Sequence, residues 1–375
     1  MAGIVNIENI SSQDEEHLEN LLSKNEAKRK PSNERAPIFE IVSCAVGSSF
    51  QFGYHCGCIN LPADLIRHWF AESYEQLYGM PISDAKMETT WAIAVSIFAV
   101  GGMIGGIFVG SLADRLGRRQ ALLYNNALAL IAVSLMTAAK YVGIYWLFII
   151  GRFVIGINAG LNSGLVPLYL TEISPTNLRG SVASIAQLAV TISILISQIV
   201  GLPFLFGTPE RWPFIFAFAM KAGLVGQLPN YATILMGTVN VLMTIVSTYL
   251  IERLGRRTLH IAGLIGLAIS TFIIAISMIV AKTIYWFSFV TIVFVLLMVV
   301  SVATGPGSIP WFYVNELFPM NARASANSVA VFTNWAANSL VATLFPMLEI
   351  FFMNIRSSFS QRGDGIEEKM KTLIK

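Results

Sequence analysis

Residues 101–123 read GGMIGGIFVGSLADRLGRRQALL, in which an apolar, glycine-rich half runs directly into the charged turn Asp114–Arg119. In a bilayer such a stretch is the end of one transmembrane helix, a tight basic loop and the start of the next helix. Glycine-rich runs also occur in dinucleotide-binding loops, but no strand precedes this one and apolar segments flank it on both sides. Three glycines recur at every fourth position and share one helix face, where they allow a neighbouring helix to approach closely: Gly102, Gly106 and Gly110.

Composition assigns the whole chain to the membrane. Of its 375 residues, 55% are hydrophobic and only 13% are charged, and the mean hydropathy is +0.64. Soluble domains carry about 25% charged residues. Long unalternating apolar runs predict helices, so we expect an all-α, multispan helical bundle with the lipid bilayer as its main partner. The net charge of +3 comes from arginines in short loops, which is typical of membrane orientation and not of nucleic-acid binding.

The cysteines predict neither a disulfide framework nor a metal centre. There are three, Cys44, Cys56 and Cys58, and only His55 lies close to the last two. These residues fall within an apolar helix and no second ligand cluster accompanies them, so we expect no metal and no cofactor. The sequence offers no nucleophile–base pair either, and we therefore expect that the protein is not an enzyme.

Nine apolar runs are long enough to be full spans. They cover about 38–61, 91–110, 121–138, 144–170, 181–204, 231–251, 259–280, 285–302 and 324–352. A half-length apolar run at Trp212–Met220 interrupts the series. We therefore predict a cytoplasmic N-terminal tail over 1–37, an N-terminal helical bundle over 38–220, a C-terminal helical bundle over 221–352 and a polar C-terminal tail over 353–375.

Two motifs occur in the same order in both halves of the chain. The turn Asp114–Arg119 returns almost unchanged at Glu252–Arg257, and the spacing of Tyr, Glu, Pro and Arg in Tyr169–Arg179 returns in Tyr313–Arg323. Basic loops alone arise in any multispan protein, but paired motifs in matching order are typical of secondary transporters built from two related halves.

These residues resemble the sugar-porter branch of the major facilitator superfamily, and most of all the animal facilitative hexose transporters. The matching motifs cover most of the apolar part of the chain. They are QFGY at 51–54 with Asn60, DRLGRR at 114–119, Gly151-Arg152, PLYLTEISPTNLRG at 167–180, ERLGRRTLH at 252–260, GPGSIPWF at 305–312 and Asn334-Trp335. The resemblance implies transport of a hexose such as glucose by alternating access, in a multi-pass protein of the plasma membrane with a cytoplasmic N-terminus.

The chain also departs from that family, whose members have about twelve spans. It lacks most of span 6, the central cytoplasmic loop, span 7 and span 12. Counting crossings from an inside N-terminus still puts Arg115, Arg179, Arg253 and Arg323 on one side, as the positive-inside rule requires. The alternative is therefore a truncated, non-transporting isoform that associates with full-length carriers or is degraded.

The resemblance also implies roles for individual residues. The expected sugar contacts are Gln187, Asn240, Trp311 and Asn338. The possible cavity and gate residues are Gln51, Asn60, Gly305, Pro306, Gly307 and Asn334. The expected cytoplasmic charge latch comprises Asp114, Arg115, Arg118, Arg119, Arg152, Glu172, Arg179, Glu252, Arg253, Arg256, Arg257, Glu316 and Arg323. Buried amides also occur as simple helix–helix hydrogen bonds, and basic loops as simple orientation signals, so both alternatives stay open.

Overall fold

The structure is a computed structural model, and it describes residues 41, 44–175, 179–203, 205–217, 231–281, 284 and 286–344. Both predicted tails and most of the segment between the two halves lie outside these ranges. A short π-helical segment, Ala45–Ser49, precedes the first α-helix. The helices are α1 Phe50–Gly57, α2 Ala63–Tyr78, α3 Asp84–Leu116, α4 Arg118–Val142, α5 Tyr145–Ile173, α6 Arg179–Val200, α7 Pro213–Ala217, α8 Tyr231–Leu254, α9 Arg256–Val280, α10 Phe287–Thr304, α11 Ile309–Leu317 and α12 323–344.

Among the described residues, six stretches are long and apolar enough to cross a membrane, and they confirm the all-α multispan bundle. Five of them are the helices α3, α4, α5, α6 and α9, and the sixth runs over Phe289–Leu317. Within α8 a shorter apolar stretch covers Leu235–Ile251. The remaining two predicted spans, at either end of the chain, extend beyond the described residues.

The repeated sequence motifs fold into repeated structures. Gly117 joins α3 to α4 and Gly255 joins α8 to α9, and both have a φ of 79°, which only glycine adopts readily. Their ψ angles, 150° and 152°, agree as well. Farther along, Arg179 Nε donates to the Ser174 carbonyl, and its counterpart Arg323 Nε donates to the Phe318 carbonyl. The chain is therefore two pseudo-symmetric halves, α1–α7 and α8–α12, and we call the end with both glycine turns the arginine end.

Helix α5 is the centre of the first half. The most apolar window of this helix is 78% buried, more than in any of the other five candidate spans. Small residues make this possible: Gly156 faces the Phe98 carbonyl and Gly160 faces the Gly102 carbonyl on α3, with no room for a side chain between the helices. The glycine pattern of α5 thus sets its close packing against α3.

The two halves meet where α3 packs against α12, a contact we call the seam. The predicted face of Gly102, Gly106 and Gly110 lies on α12, so the expectation of close helix approach is confirmed. Hydrogen bonds from α12 to the first half reinforce the seam. They are Gly110 N to Ser328 Oγ (2.6 Å), Asn327 Nδ2 to the Gly164 carbonyl (2.7 Å) and Trp335 Nε1 to Ser163 Oγ (3.1 Å).

At the end opposite the arginine end, α2 covers the bundle, a helix that the sequence analysis did not predict. Trp69 and Phe70 of α2 pack against Phe148 of α5 with ring centroids 6.3 and 5.7 Å apart. Ser73 donates to the Gly143 carbonyl and accepts from the Tyr145 N–H, which fixes the turn between α4 and α5. The first half is therefore held together at both ends.

The predicted break in the second half is present. Helix α10 ends at Thr304 and α11 begins at Ile309. Between them the Gly307 N–H donates to the Val302 carbonyl at 2.7 Å, and Gly305 lies against the Leu259 carbonyl of α9. The break lets α11 start in a new direction and reach the first half.

Candidate functional site

A cavity lies between the two halves, with about 350 Å³ of empty space when its open mouth is included. Helices α1, α5 and α6 of the first half and α11 of the second half contribute its walls. The lining residues are Phe52, Ser163, Pro167, Ala183, Ala186, Gln187, Val190, Trp311 and Phe312. Because its walls belong to both halves, relative movement of the halves must change its shape.

Two of the four predicted sugar contacts, Gln187 on α6 and Trp311 on α11, meet in this cavity. Both are half-buried. The Gln187 amide supplies two donors and an acceptor, and the Trp311 indole supplies one donor and a flat apolar ring. Ser163 Oγ is already engaged, since it donates to the Gly160 carbonyl and accepts from Trp335 Nε1. No charged side chain of the described residues lines the cavity, so its chemistry suits a neutral ligand with hydroxyl groups and an apolar face.

The structure does not bring the other two predicted sugar contacts, Asn240 and Asn338, into this cavity. Asn240 is half-buried on α8, and its carbonyl accepts from Thr244 Oγ1 at 2.8 Å. Asn338 is exposed on α12 and donates to the Asn334 carbonyl at 2.9 Å. For these residues the sugar-binding role stays a prediction.

The possible gate residues are distributed around the bundle and not gathered at one point. Gln51 is half-buried on α1, with its Oε1 buried and lacking a hydrogen-bond partner among the described residues. Asn60 is exposed in the turn before α2, and Asn334 is half-buried on α12. The residues Gly305–Gly307 form the break between α10 and α11.

Sequence reasoning missed most of the cavity wall. Phe52, Pro167 and Val190 are apolar residues on predicted spans, and Phe312 follows the predicted break at Gly305–Gly307; any of them could equally have faced lipid. Phe52 lies 5.9 Å, centroid to centroid, from Trp335, whose ring also packs on Phe98 of α3 at 5.5 Å. An aromatic chain thus connects the cavity to the seam.

At the arginine end each half forms its own ion pair. In the first half, Arg118 Nε lies 3.0 Å from Glu172 Oε2, and Arg118 Nη1 lies 3.3 Å from Asp114 Oδ1. In the second half, Arg256 Nε lies 2.7 Å from Glu316 Oε2. The acid–arginine spacing of the motifs therefore produces equivalent pairs. Each pair links helices within one half, whereas the predicted latch was expected to join the halves through charges.

The remaining residues of the predicted latch lie around these pairs. Arg115, Arg119 and Arg257 are exposed. Arg253 is also exposed and lies over the Tyr249 ring at 4.8 Å. The side chain of Glu252 lies outside what the structure describes.

The prediction that Arg152 belongs to this cytoplasmic latch is wrong. Arg152 and Glu172 lie on the same helix, α5, about 20 residues apart, which separates them by roughly 30 Å along the axis. The Arg152 side chain is buried, donates to the His55 carbonyl at 3.2 Å and lies over the Phe98 ring at 4.4 Å. It therefore links α1, α3 and α5 within the membrane, far from the arginine end.

The cysteines are reduced and none is placed in a metal centre. Cys44, Cys56 and Cys58 are free thiols, and Cys58 Sγ lies 3.9 Å from His55 Nδ1. Among the described residues no group of three or more His, Cys, Asp or Glu side chains could hold a metal ion.

Comparison with known proteins agrees with this architecture. The family model "Sugar (and other) transporter" matches residues 41–226 and 220–354. Facilitated glucose transporter protein 1 of Caenorhabditis elegans is 40% identical, with 80% of this chain and 80% of that protein covered. Solute carrier family 2, facilitated glucose transporter member 3 of Homo sapiens is 31% identical, with 83% of each chain covered.

Solved structures show the same fold. The proton:xylose symporter XylE bound to 6-bromo-6-deoxy-D-glucose has a TM-score of 0.72 and 20% identity, covering 85% of this chain and 90% of XylE. The inward open form of XylE from E. coli has a TM-score of 0.61 and 21% identity, covering 83% of this chain and 90% of XylE. The chain therefore belongs to the sugar transporter family and is a multi-pass membrane protein with an incomplete major facilitator fold.

Proposed function

We propose that this protein carries a hexose such as glucose across the plasma membrane, down its gradient, by alternating access. The observation that carries the proposal is the cavity between the halves, in which the Gln187 amide and the Trp311 ring converge and every lining residue that the structure describes is uncharged. A neutral sugar needs hydrogen-bond partners for its hydroxyl groups and a flat apolar surface for its ring face.

The contacts between the halves support an alternating mechanism. The hydrogen bonds of the seam join α12 to the first half from Gly110, near the arginine end, to Trp335 at mid-helix. We assign the arginine end to the cytoplasm, since short basic loops favour that side. Transport then requires the seam to separate.

Uptake by reconstituted liposomes tests the proposal. Labelled D-glucose should enter faster than labelled L-glucose, and excess unlabelled hexose should compete. Gln187→Leu should raise the half-saturation concentration about 5- to 100-fold, because a buried sugar hydroxyl without a partner costs about 1–3 kcal/mol. Gln198→Leu is the matched control: Gln198 is a buried glutamine of the same helix that does not line the cavity. Equal uptake of both enantiomers, or equal effects of the two substitutions, would contradict the proposed site.

A second candidate is a non-transporting form that associates with a full-length carrier. The weaker packing of the second half favours this candidate. The most apolar windows of its two candidate spans are each only 17% buried, whereas those of the first half are 33–78% buried. The same liposomes discriminate the candidates, because such a form gives no stereoselective uptake alone and co-purifies with a tagged full-length carrier of the family.

A further inference from the structure

The two ion pairs at the arginine end are not equivalent in what surrounds them. Among the described residues, the polar contacts of Arg118 all lie in the first half: besides Asp114 and Glu172, its Nη1 donates to the Ala113 carbonyl at 3.0 Å. Arg256 pairs with Glu316 in the second half, but it also reaches the first half at Gly180. The pseudo-symmetry of the halves is therefore broken at Arg256.

The Arg256 guanidinium occupies the space into which a side chain at residue 180 would extend, so such a side chain requires the guanidinium to move. A methyl group added at Gly180 would lie 2.9 Å from Arg256 Nη2 and 3.8 Å from its Cζ. The same Nη2 donates to Glu316 Oε1 at 2.8 Å. An added methyl group must therefore displace the nitrogen that forms the ion pair.

The backbone of Gly180 does not itself require glycine. Gly180 lies in the first turn of α6, and positive φ angles in the described chain occur at other glycines only. Its carbonyl accepts from Ser184 Oγ at 2.9 Å, four residues along the helix. Alanine would be favoured over glycine by about 1 kcal/mol in a helix interior. The space taken by Arg256 is thus the physical reason for glycine at this position.

The matching position of the second half supports this reasoning. The repeated motifs align Gly180 with Ala324, which follows Arg323 as Gly180 follows Arg179. Ala324 carries a methyl group and is buried against Gly110 of α3. In the first half, Arg256 of the second half contacts residue 180, and that residue is glycine. In the second half the matching residue is alanine.

We propose that Gly180 is a positioning residue for the transport cycle: it provides the first-half surface on which the Arg256–Glu316 pair closes the arginine end. This inference rests on the proposed function, because it concerns the state of an alternating transporter that is closed at the arginine end. When the halves separate at this end, Arg256 leaves Gly180 and a methyl group at residue 180 no longer meets it. A larger side chain at Gly180 therefore favours the state that is open at the arginine end.

The test measures how readily a thiol in the seam reacts. In the background variant, alanine replaces Cys44, Cys56 and Cys58. Ala324→Cys is then added, at a position where Ala324 is only 2% exposed. The protein is labelled with a maleimide in detergent. Gly180→Ala should raise the labelling rate about fivefold, the effect of a weakened, partly exposed ion pair. Gly47→Ala is the matched control, because a methyl group there meets nothing within 4 Å.

The Arg256→Ala background makes the test specific. Arg256→Ala alone should raise labelling, and adding Gly180→Ala should then change nothing, because the two substitutions remove one contact. An increase with Arg256→Ala but none with Gly180→Ala would overturn the role of Gly180 and leave the alternating mechanism standing. If neither variant nor saturating D-glucose changed the labelling rate, both the role of Gly180 and the proposed function would be refuted. Thermal unfolding of each variant checks that the fold is retained.

Discussion

The seam gives the most quantitative prediction, the effect of Gly102→Ala. A methyl group at Gly102 would lie 2.6 Å from Cε3 and 2.9 Å from Cε2 of Trp335. The indole has little freedom to move, because its Nε1 donates to Ser163 Oγ and its ring packs on Phe52 and Phe98. Overpacking of this kind costs about 1–3 kcal/mol, while alanine regains about 1 kcal/mol of helix propensity.

The overpacking cost falls on the closed seam alone, since separated halves have no contact between Gly102 and Trp335, whereas the gain in helix propensity is the same in both states. A cost of about 1–3 kcal/mol shifts the equilibrium toward the state open at the arginine end by about 5- to 150-fold. In the cysteine-free background, the rate at which maleimide labels Ala324→Cys should rise by about that factor. Trp335→Ala should itself raise the labelling rate, because the seam loses the hydrogen bond to Ser163, and adding Gly102→Ala to it should change the rate no further.

Gly101→Ala is the control for this prediction. A methyl group at Gly101 would meet Ile157 N at 2.9 Å and Gly156 Cα at 3.0 Å, both on α5 of the same half. That contact persists in open and closed states, so Gly101→Ala should lower the unfolding temperature without changing the labelling rate. Equal effects of Gly101→Ala and Gly102→Ala on labelling would refute the reasoning.

Two further predictions concern the stability of the first half. Asn162→Leu should lower the free energy of unfolding by about 1–3 kcal/mol, because the buried Asn125 Nδ2 loses its 2.8 Å bond to Asn162 Oδ1; chemical denaturation measures this, and an unchanged midpoint would contradict it. Ser73→Ala should cost a similar amount, because the buried Tyr145 N–H loses its acceptor. The hexose half-saturation concentration should stay unchanged in Ser73→Ala, and a large change in transport affinity would show that α2 contributes to the cavity.

Much of the fold could be predicted from the sequence because lipid leaves few alternatives to helices. The apolar runs predicted the spans, and the motif at Asp114–Arg119 and its repeat predicted two turns whose glycines share the same φ and ψ. The small-residue face of Gly102, Gly106 and Gly110 predicted close helix approach, although its partner, α12, lies more than 200 residues away in the chain.

What the sequence could not predict depends on which face of a helix meets which neighbour. Helix α2 was missed because Ala63–Tyr78 alternates charged and aromatic residues and has no apolar run of span length. Phe52 and Phe312 gave no signal for a cavity, since a phenylalanine on a span faces lipid as readily as a ligand. Arg152 was assigned to the cytoplasmic latch by the family resemblance, whereas its distance along α5 from Glu172 already excluded that position.

A reversible cross-link across the seam tests the central claim most directly. A Cβ atom at Gly110 would lie 2.9 Å from Ser328 Oγ, so Gly110→Cys with Ser328→Cys is within reach of a disulfide. In liposomes containing this variant in the cysteine-free background, oxidation should stop stereoselective hexose uptake and reduction should restore it, because transport requires the halves to separate there. Uptake at an undiminished rate with the seam fully cross-linked would contradict the account.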